Sequence, residues 1–291
     1  PVTVISLVAL PILIPLNALF MYGFGPIPAM GGAGAGVSNA ILQWAMLLVL
    51  IVFLKKSAIY SQYRLFGHFE RLDTAWIKRI LTLGFPIGLA VFFEVAIFSA
   101  GALIVGPLGD TVIAAHQIAI SITSQLFMIP FSLSLALTIR VGLYYGEQNW
   151  LSMIRVQKIG LMVATFFALC TMAILVFGRS WIIHQYNKDP AVFDVAFGLV
   201  VYAIAYQLID AWQVASAGCL RGMQQTQAPM WITLFAYWAI AFPIGVYLAR
   251  YTDVGAAGVW IGLLTGLFIA SVLLVSRLVT VNKRLMRTSA A

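Results

Sequence analysis

The chain has 291 residues, of which 62% are hydrophobic and only 9% are charged, and its mean hydropathy is +0.99. This composition excludes an ordinary soluble domain and is typical of a protein that crosses a membrane several times. The net charge of +8 could indicate a nucleic-acid partner, but the basic residues lie between apolar runs, which indicates membrane orientation and no nucleic-acid binding.

The N-terminal part of the chain predicts two membrane helices. The first, Val2–Tyr22, contains two prolines that we expect to kink it. The second runs from Gly32 to about Leu54 and begins with the run GGAGAGV, which lacks the GxGxxG spacing of a nucleotide-binding loop. We interpret Gly32 and Gly36 as a small-xxx-small pair that lets two helices approach closely. Because the chain begins with proline and not methionine, we expect further residues to precede it.

A long polar segment follows, and it ends in an amphipathic pattern. Residues 55–83 contain six Lys and Arg residues, and their last part places Leu72, Trp76, Ile80 and Leu83 on one helical face. This pattern predicts a loop over residues 56–83 with an amphipathic helix at the membrane interface.

The third membrane helix, Gly84–Gly106, carries one ionisable residue, Glu94, almost at its centre. Its 23 residues span roughly 34 Å, enough to cross a hydrocarbon core of about 30 Å. A carboxylate at the bilayer centre costs on the order of 2.5–3.5 kcal/mol on insertion scales. Glu94 could be a structural group bonded to a neighbouring helix, but this cost favours a binding role.

The fourth helix, about Ile113–Thr138, carries Gln117, Ser121 and Ser124 at steps of four and three residues. These three side chains share a helical face, and we expect that face to point into the protein. His116 lies near the helix start, where a structural hydrogen bond is at least as reasonable as proton relay. A plainer fifth helix follows, about Ile159–Phe177.

The sixth helix, about Val192–Ala217, carries the second intramembrane acid, Asp210. The residues Tyr206, Gln207 and Gln213 flank it at helical spacing and predict one continuous polar stripe. One buried polar residue is often structural, but four polar residues on one helical face, one of them a carboxylate, favour a cavity or an ion path.

Two further helices, about Pro229–Ala249 and Ala256–Val279, complete a prediction of eight membrane helices, and Gly262 with Gly266 gives the last a packing face. If the helices alternate sides, one side holds the six bases of residues 55–79, three of residues 140–158, Arg221, and four of residues 277–287. The other side holds only Arg179, Lys188 and Arg250. The positive-inside rule therefore predicts that both ends of this chain are cytoplasmic.

A weak internal repeat divides these helices into two groups. The run GAGV at residues 34–37 resembles AAGV at residues 256–259, and each opens a helix after a proline-containing one. If the two runs are equivalent, residues 1–55 are the last two helices of an N-terminal bundle, and residues 84–291 are a complete six-helix C-terminal bundle with its tail. The predicted fold class is therefore an all-α integral membrane protein, with Glu94 and Asp210 facing one pocket inside the C-terminal bundle.

Several longer runs resemble one known family. GFPIGLAVFFEVAIFSAGALIVGPLG, AAHQIAI, FMIPFSLSLALTIRVGLYYGE, AYQLIDAWQVASAGCLRGMQQT and LIPLNALFMYGFGPIPAMGGAGAGV are similar to the multidrug and toxic compound extrusion (MATE) family, NorM-type branch. The resemblance covers the whole chain and implies the last eight of twelve helices. It implies that Glu94, Asp210 and Tyr206 form a cation-binding site and that Asn17 lines a cavity in the N-terminal lobe. Some relatives have a second asparagine where this chain has Leu13, which weakens the case for that wall in ion binding.

The resemblance implies a secondary antiporter of the bacterial inner membrane that exports drugs and organic cations in exchange for inward H⁺ or Na⁺. Buried carboxylates suit this exchange, because a proton or a metal cation compensates their lost hydration. We expect a monomer in contact with lipid and without a cofactor, and no metal site beyond Na⁺ at Glu94 and Asp210. An enzyme is less consistent with the sequence, which lacks HExxH and GxSxG motifs. A lipid-linked precursor flippase of related architecture stays open as an alternative; several basic residues in the cavity would favour it, whereas the intramembrane charges identified above are both acidic.

Overall fold

The computed structural model describes residues 2–24, 28–57 and 73–290, and these fall into two compact units divided at Asp73 and Thr74. Within them, eight helical spans are long and apolar enough to cross a membrane, which confirms the predicted fold class. The first unit contains α1 (Val2–Tyr22) and α2 (Gly32–Lys56). The second contains α3 (Thr74–Val105), α4 (Asp110–Gly146), α5 (Trp150–Tyr186), α6 (Pro190–Gly222), α7 (Gln227–Leu234), α8 (Phe242–Tyr251) and α9 (Ala256–Ala290).

In the first unit, α1 and α2 contact each other through Gly34 and Ser38 rather than through the predicted glycines. A Cβ atom on Gly34 would collide with the carbonyl oxygen of Phe20, whereas Gly32 and Gly36 have open space around them. The Ser38 hydroxyl donates to the carbonyl oxygen of Leu16 at 3.0 Å. Among the described residues, the contact between α1 and α2 therefore uses Gly34 and not Gly32 or Gly36, because residues two apart lie on opposite faces of a helix, and the packing role of Gly32 and Gly36 stays a prediction.

The third span is longer than predicted. Helix α3 begins at Thr74 and continues unbroken to Val105, so the amphipathic segment expected before Gly84 is, from Thr74 onward, the first part of α3. The rest of that expected loop, residues 58–72, lies outside the described residues.

Helices α4, α5 and α6 also extend well beyond their apolar centres. Two of them have 37 residues, roughly 55 Å of helix, whereas a hydrocarbon core needs about 30 Å. Their ends are set by local capping: the Asn149 side chain accepts a hydrogen bond from the Ser152 amide, and the Asp189 side chain accepts one from the Ala191 amide. Pro190 occupies the first turn of α6, where its missing N–H costs nothing. Hydropathy alone locates the apolar centre of each helix and not these caps.

Helix α6 is the centre of the second unit, with α4, α5 and α9 packed around it. Its contact with α4 is close at Gly222, where an added Cβ would lie 2.7 Å from the carbonyl oxygen of Thr138. The Ser134 hydroxyl donates to the Val214 carbonyl at 2.8 Å, and the Thr138 hydroxyl donates to the Gly218 carbonyl at 3.0 Å. These bonds fix the register of α4 against the helix that carries Asp210.

The seventh span is not a uniform α-helix. A π-helical segment, Phe235–Ala241, joins α7 to α8 just before Pro243. The glycine face of α9 packs on it: a Cβ on Gly262 would lie 2.6 Å from the Ala241 carbonyl oxygen, and one on Gly266 would lie 2.7 Å from that of Ala236. The packing role predicted for Gly262 and Gly266 is confirmed.

Candidate functional site

A cavity of about 640 Å³ lies in the second unit among α3, α4 and α6. Its volume is in the range of pockets for drug-sized molecules. The wall is mainly apolar and includes several aromatic rings, and its residues are Val91, Glu94, Val95, Phe98, Ser99, Ala102, Gln117, Ile120, Thr123, Ser124, Phe127, Met128, Phe131, Tyr206, Gln213, Val214, Ala217 and Arg221. Among these residues, Glu94 and Arg221 carry the two formal charges.

Glu94 projects from α3 into this wall. Its Oε1 atom is buried and has no hydrogen-bond partner among the residues that the structure describes. Phe98, one turn further along α3, contacts the ring of Tyr206 edge-on, with 6.2 Å between ring centroids and an interplanar angle of 67°. This aromatic contact joins the helix of Glu94 to the helix of Asp210.

Asp210 lies behind the cavity wall. It is 1% exposed, its Oδ1 atom has no hydrogen-bond partner among the described residues, and its carboxyl group interacts with the Tyr206 side chain. Helical side chains lean towards the N-terminus, so Asp210 points back under Tyr206 one turn earlier. The charge of Glu94 also acts on Asp210. The structure therefore brings Glu94, Tyr206 and Asp210 into one electrostatic cluster, with Glu94 and Tyr206 facing the cavity and Asp210 buried.

The predicted polar faces are only partly correct. Gln117 and Gln213 line the cavity. Gln207 does not: it faces α5, where its side-chain oxygen accepts a hydrogen bond from Thr171 at 3.4 Å. Because consecutive helical residues are about 100° apart, Gln207 cannot share the direction of Tyr206.

Ser121 is also not a cavity-lining residue. Its hydroxyl donates to the phenol oxygen of Tyr186 on α5 at 3.3 Å, and the Gln125 side chain donates to the same oxygen at 2.6 Å. Ser121 therefore lies on the edge of α4 that meets α5. Ser124 lines the cavity instead.

Two further residues singled out in the sequence lie elsewhere. Asn17 is in α1 of the first unit, where its Oδ1 atom is buried without a hydrogen-bond partner in the described ranges, and its role in a cavity wall stays a prediction. His116 is buried and its Nδ1 atom accepts a hydrogen bond from the Trp260 indole at 3.2 Å. This bond supports the structural interpretation of His116.

Arg221 is a cavity residue that the sequence argument assigned to a loop. Its guanidinium group donates to the Ala217 carbonyl and to the Ser134 hydroxyl, both at 3.3 Å, and its charge acts on Glu94. The charged residues of the cavity wall are thus not all acidic, although the charges that the sequence indicated for this site were. The sequence contained a signal for this position. Arg221 follows Asp210 by eleven residues, which is close to three helical turns, so the two residues lie on the same face of a helix.

The comparisons with known proteins agree with this architecture. The MatE family model matches residues 86–247. A probable multidrug resistance protein NorM of Acinetobacter baylyi is 61% identical over 99% of this chain, and the multidrug resistance protein PmpM of Pseudomonas aeruginosa is 38% identical over 99%. The chain covers 64% and 61% of those relatives, less than two thirds of their length.

A solved structure supports the fold. The eukaryotic MATE transporter AtDTX14 superposes with a TM-score of 0.84 at 22% identity, over 98% of this chain and 63% of that one. Because the family model matches more than half of the chain, which also contains the eight expected spans, this multi-pass membrane protein belongs to the MatE family.

Proposed function

We propose that the protein is a secondary active antiporter that exports drugs and organic cations in exchange for inward-moving H⁺ or Na⁺. One observation carries the proposal: two carboxyl groups on different helices, Glu94 and Asp210, act on each other beside a large apolar cavity. Each has an oxygen without a hydrogen-bond partner among the described residues. The multidrug resistance relatives support this function, but they are longer than this chain.

The cavity suits an organic cation. Its aromatic side chains, among them Phe98, Phe127 and Tyr206, offer apolar contact and cation–π attraction. Glu94 supplies the negative charge at the wall. A bulky cation can therefore satisfy both features at once, whereas a neutral cargo would leave the carboxylate unused.

The cluster suits a small coupling cation. Buried polar atoms normally have partners, so unpartnered oxygens on Glu94 and Asp210 indicate groups that take a ligand, and hard carboxylate oxygens favour Na⁺ or a proton. A cargo cation and the coupling ion would compete for the same negative charge. Coupling requires that the ion bind the drug-releasing conformation more tightly, because a ligand shifts conformations only by its differential affinity.

The experiment is gradient-driven export by the full-length protein reconstituted in vesicles. Glu94→Gln keeps the shape but removes the charge, so we expect normal insertion and loss of export under both imposed H⁺ and Na⁺ gradients. Asp194→Asn is the matched control, because Asp194 is an exposed carboxylate in the first turns of α6, and we expect wild-type export from it. A well-folded Glu94→Gln protein that still exports along either gradient would contradict the proposal.

Arg221 favours a second candidate, a flippase for a lipid-linked precursor. A guanidinium group in the cavity could bind a pyrophosphate. Arg221 is a single base, and it already donates hydrogen bonds to Ser134 and Ala217 and interacts with the charge of Glu94. The flippase is therefore a weaker candidate than the antiporter. Vesicles that translocate a pyrophosphate-linked lipid but not an organic cation would favour the flippase.

A further inference from the structure

Tyr237 is a buried tyrosine that the sequence did not predict as a site residue and that does not line the cavity. It lies in the π-helical segment Phe235–Ala241, is 2% exposed, and its hydroxyl group has no hydrogen-bond partner in the described part of the chain. A buried hydroxyl without a partner costs free energy, so its retention requires a reason. The nearby Tyr247, in α8, shows the ordinary alternative, since it is 62% exposed.

The groups that face Tyr237 are those of the candidate site. The charges of Glu94 on α3 and Asp210 on α6 both act on its phenol, and the phenol also acts on Tyr206. Among the side chains the structure describes, the unpartnered buried atoms include Glu94 Oε1, Asp210 Oδ1 and the Tyr237 hydroxyl. Three helical spans thus place unpartnered oxygens in one electrostatic cluster.

The π-helical segment is held in place on two sides. The Trp238 indole donates to the carbonyl oxygen of Phe93, the residue before Glu94, at 3.3 Å. On another side, Gly262 and Gly266 of α9 allow the backbone of α9 to approach the segment. A π-helical turn costs hydrogen-bond geometry and occurs often at functional sites. Here it fixes Tyr237 relative to the backbone that carries Glu94.

We propose that the Tyr237 hydroxyl supplies an oxygen to the coupling cation held between Glu94 and Asp210. If the cation is Na⁺, the oxygen is a direct ligand. If it is a proton, the same oxygen accepts a hydrogen bond from the protonated carboxyl group. The inference rests on the proposed antiport, and it adds an ion-site residue from the seventh span.

The test uses Tyr237→Phe in the full-length protein, which removes only the hydroxyl oxygen. The half-saturating concentration of the coupling ion is measured in vesicles, with Na⁺ varied at constant pH in one arm and pH varied without Na⁺ in the other. In the arm that drives wild-type export, we expect Tyr237→Phe to raise that concentration roughly three- to tenfold, the loss of about one hydrogen bond, while the maximal rate stays within about twofold. Tyr247→Phe is the matched control and should equal wild type.

Stability in the absence of the ion separates a ligand from a structural residue. Because the Tyr237 hydroxyl has no hydrogen-bond partner among the described side chains and backbone, Tyr237→Phe should melt at the wild-type temperature or higher in ion-free buffer. Its melting temperature should rise less than that of wild type when the ion is added. An unchanged half-saturating concentration, or a destabilised ion-free protein, would overturn the inference. Glu94→Gln is measured alongside: if it retains coupled export, the proposed function fails, whereas its loss together with a wild-type Tyr237→Phe rejects only the inference.

Discussion

Glu94 and Asp210 come from different helices and differ in their position relative to the cavity. Glu94 lines the cavity, whereas Asp210 is buried and does not line it. This arrangement suits a path in which an ion enters at Glu94 and is held against Asp210. We therefore propose that the two acids act as one functional unit rather than as two independent sites.

A double-mutant experiment tests this unity. We expect Glu94→Gln and Asp210→Asn each to reduce gradient-driven export at least tenfold, because either change removes a charge from the shared site. Export by the double variant should be at most about threefold lower than export by the less active single variant. The reason is that the effects of substitutions in residues that act as a unit are not additive. Export by purified, monodisperse protein in vesicles is the measurement, and losses that multiply would indicate two separate roles.

The packing of α4 against α6 determines the position of the helix that carries Asp210. The register depends on glycines in α6, since a Cβ on Gly218 would lie 2.5 Å from the carbonyl oxygen of Ser134. Close to this contact, the Ser134 and Thr138 hydroxyls donate hydrogen bonds to carbonyl oxygens of the α6 backbone. An added methyl group would therefore separate two backbones rather than move a flexible side chain.

Gly218→Ala should be destabilising, by about 1–3 kcal/mol, the usual cost of overpacking a closely packed contact. Gly198→Ala is the matched control on the same helix, because an added Cβ there meets nothing within 4 Å. It should be neutral or stabilising by about 0.4–1 kcal/mol through reduced freedom of the unfolded chain. Thermal unfolding midpoints of the purified proteins measure both, and equal midpoints for the two variants would contradict the role assigned to Gly218.

Across the whole molecule, the distribution of basic residues predicts which ends of the helices face the cytoplasm. The turn at residues 147–149 should be cytoplasmic and the turn at residues 187–189 external, since the first lies on the side that holds most of the Lys and Arg residues. Both turns consist of short connections between long helices, so each can be labelled without disturbing a helix.

Cysteine labelling in intact cells tests this orientation. In a Cys170→Ser background, with Cys219 buried, Lys188→Cys should react with a membrane-impermeant maleimide. Glu147→Cys should react only after the membrane is permeabilised. The reverse pattern would place the ends of this chain outside the cell.

The sequence by itself determined the eight spans, the two intramembrane acids and the glycine face of α9, because each depends on local composition or on helical spacing. It could not determine that Gln207 and Ser121 turn towards α5, since a helical period defines a face but not the neighbour that the face meets. It likewise assigned Arg221 to a loop, because hydropathy ends a helix where its apolar residues end.

Only the tertiary structure decided which polar atoms share one place. Asp210 is buried, its charge acts on Tyr206 and Tyr237, and Tyr237 belongs to a π-helical segment that packs against α9. These contacts join residues far apart in the chain, and no local pattern encodes them. The physical reason is that burial and electrostatic coupling depend on distances between helices, which close packing fixes only after the chain has folded.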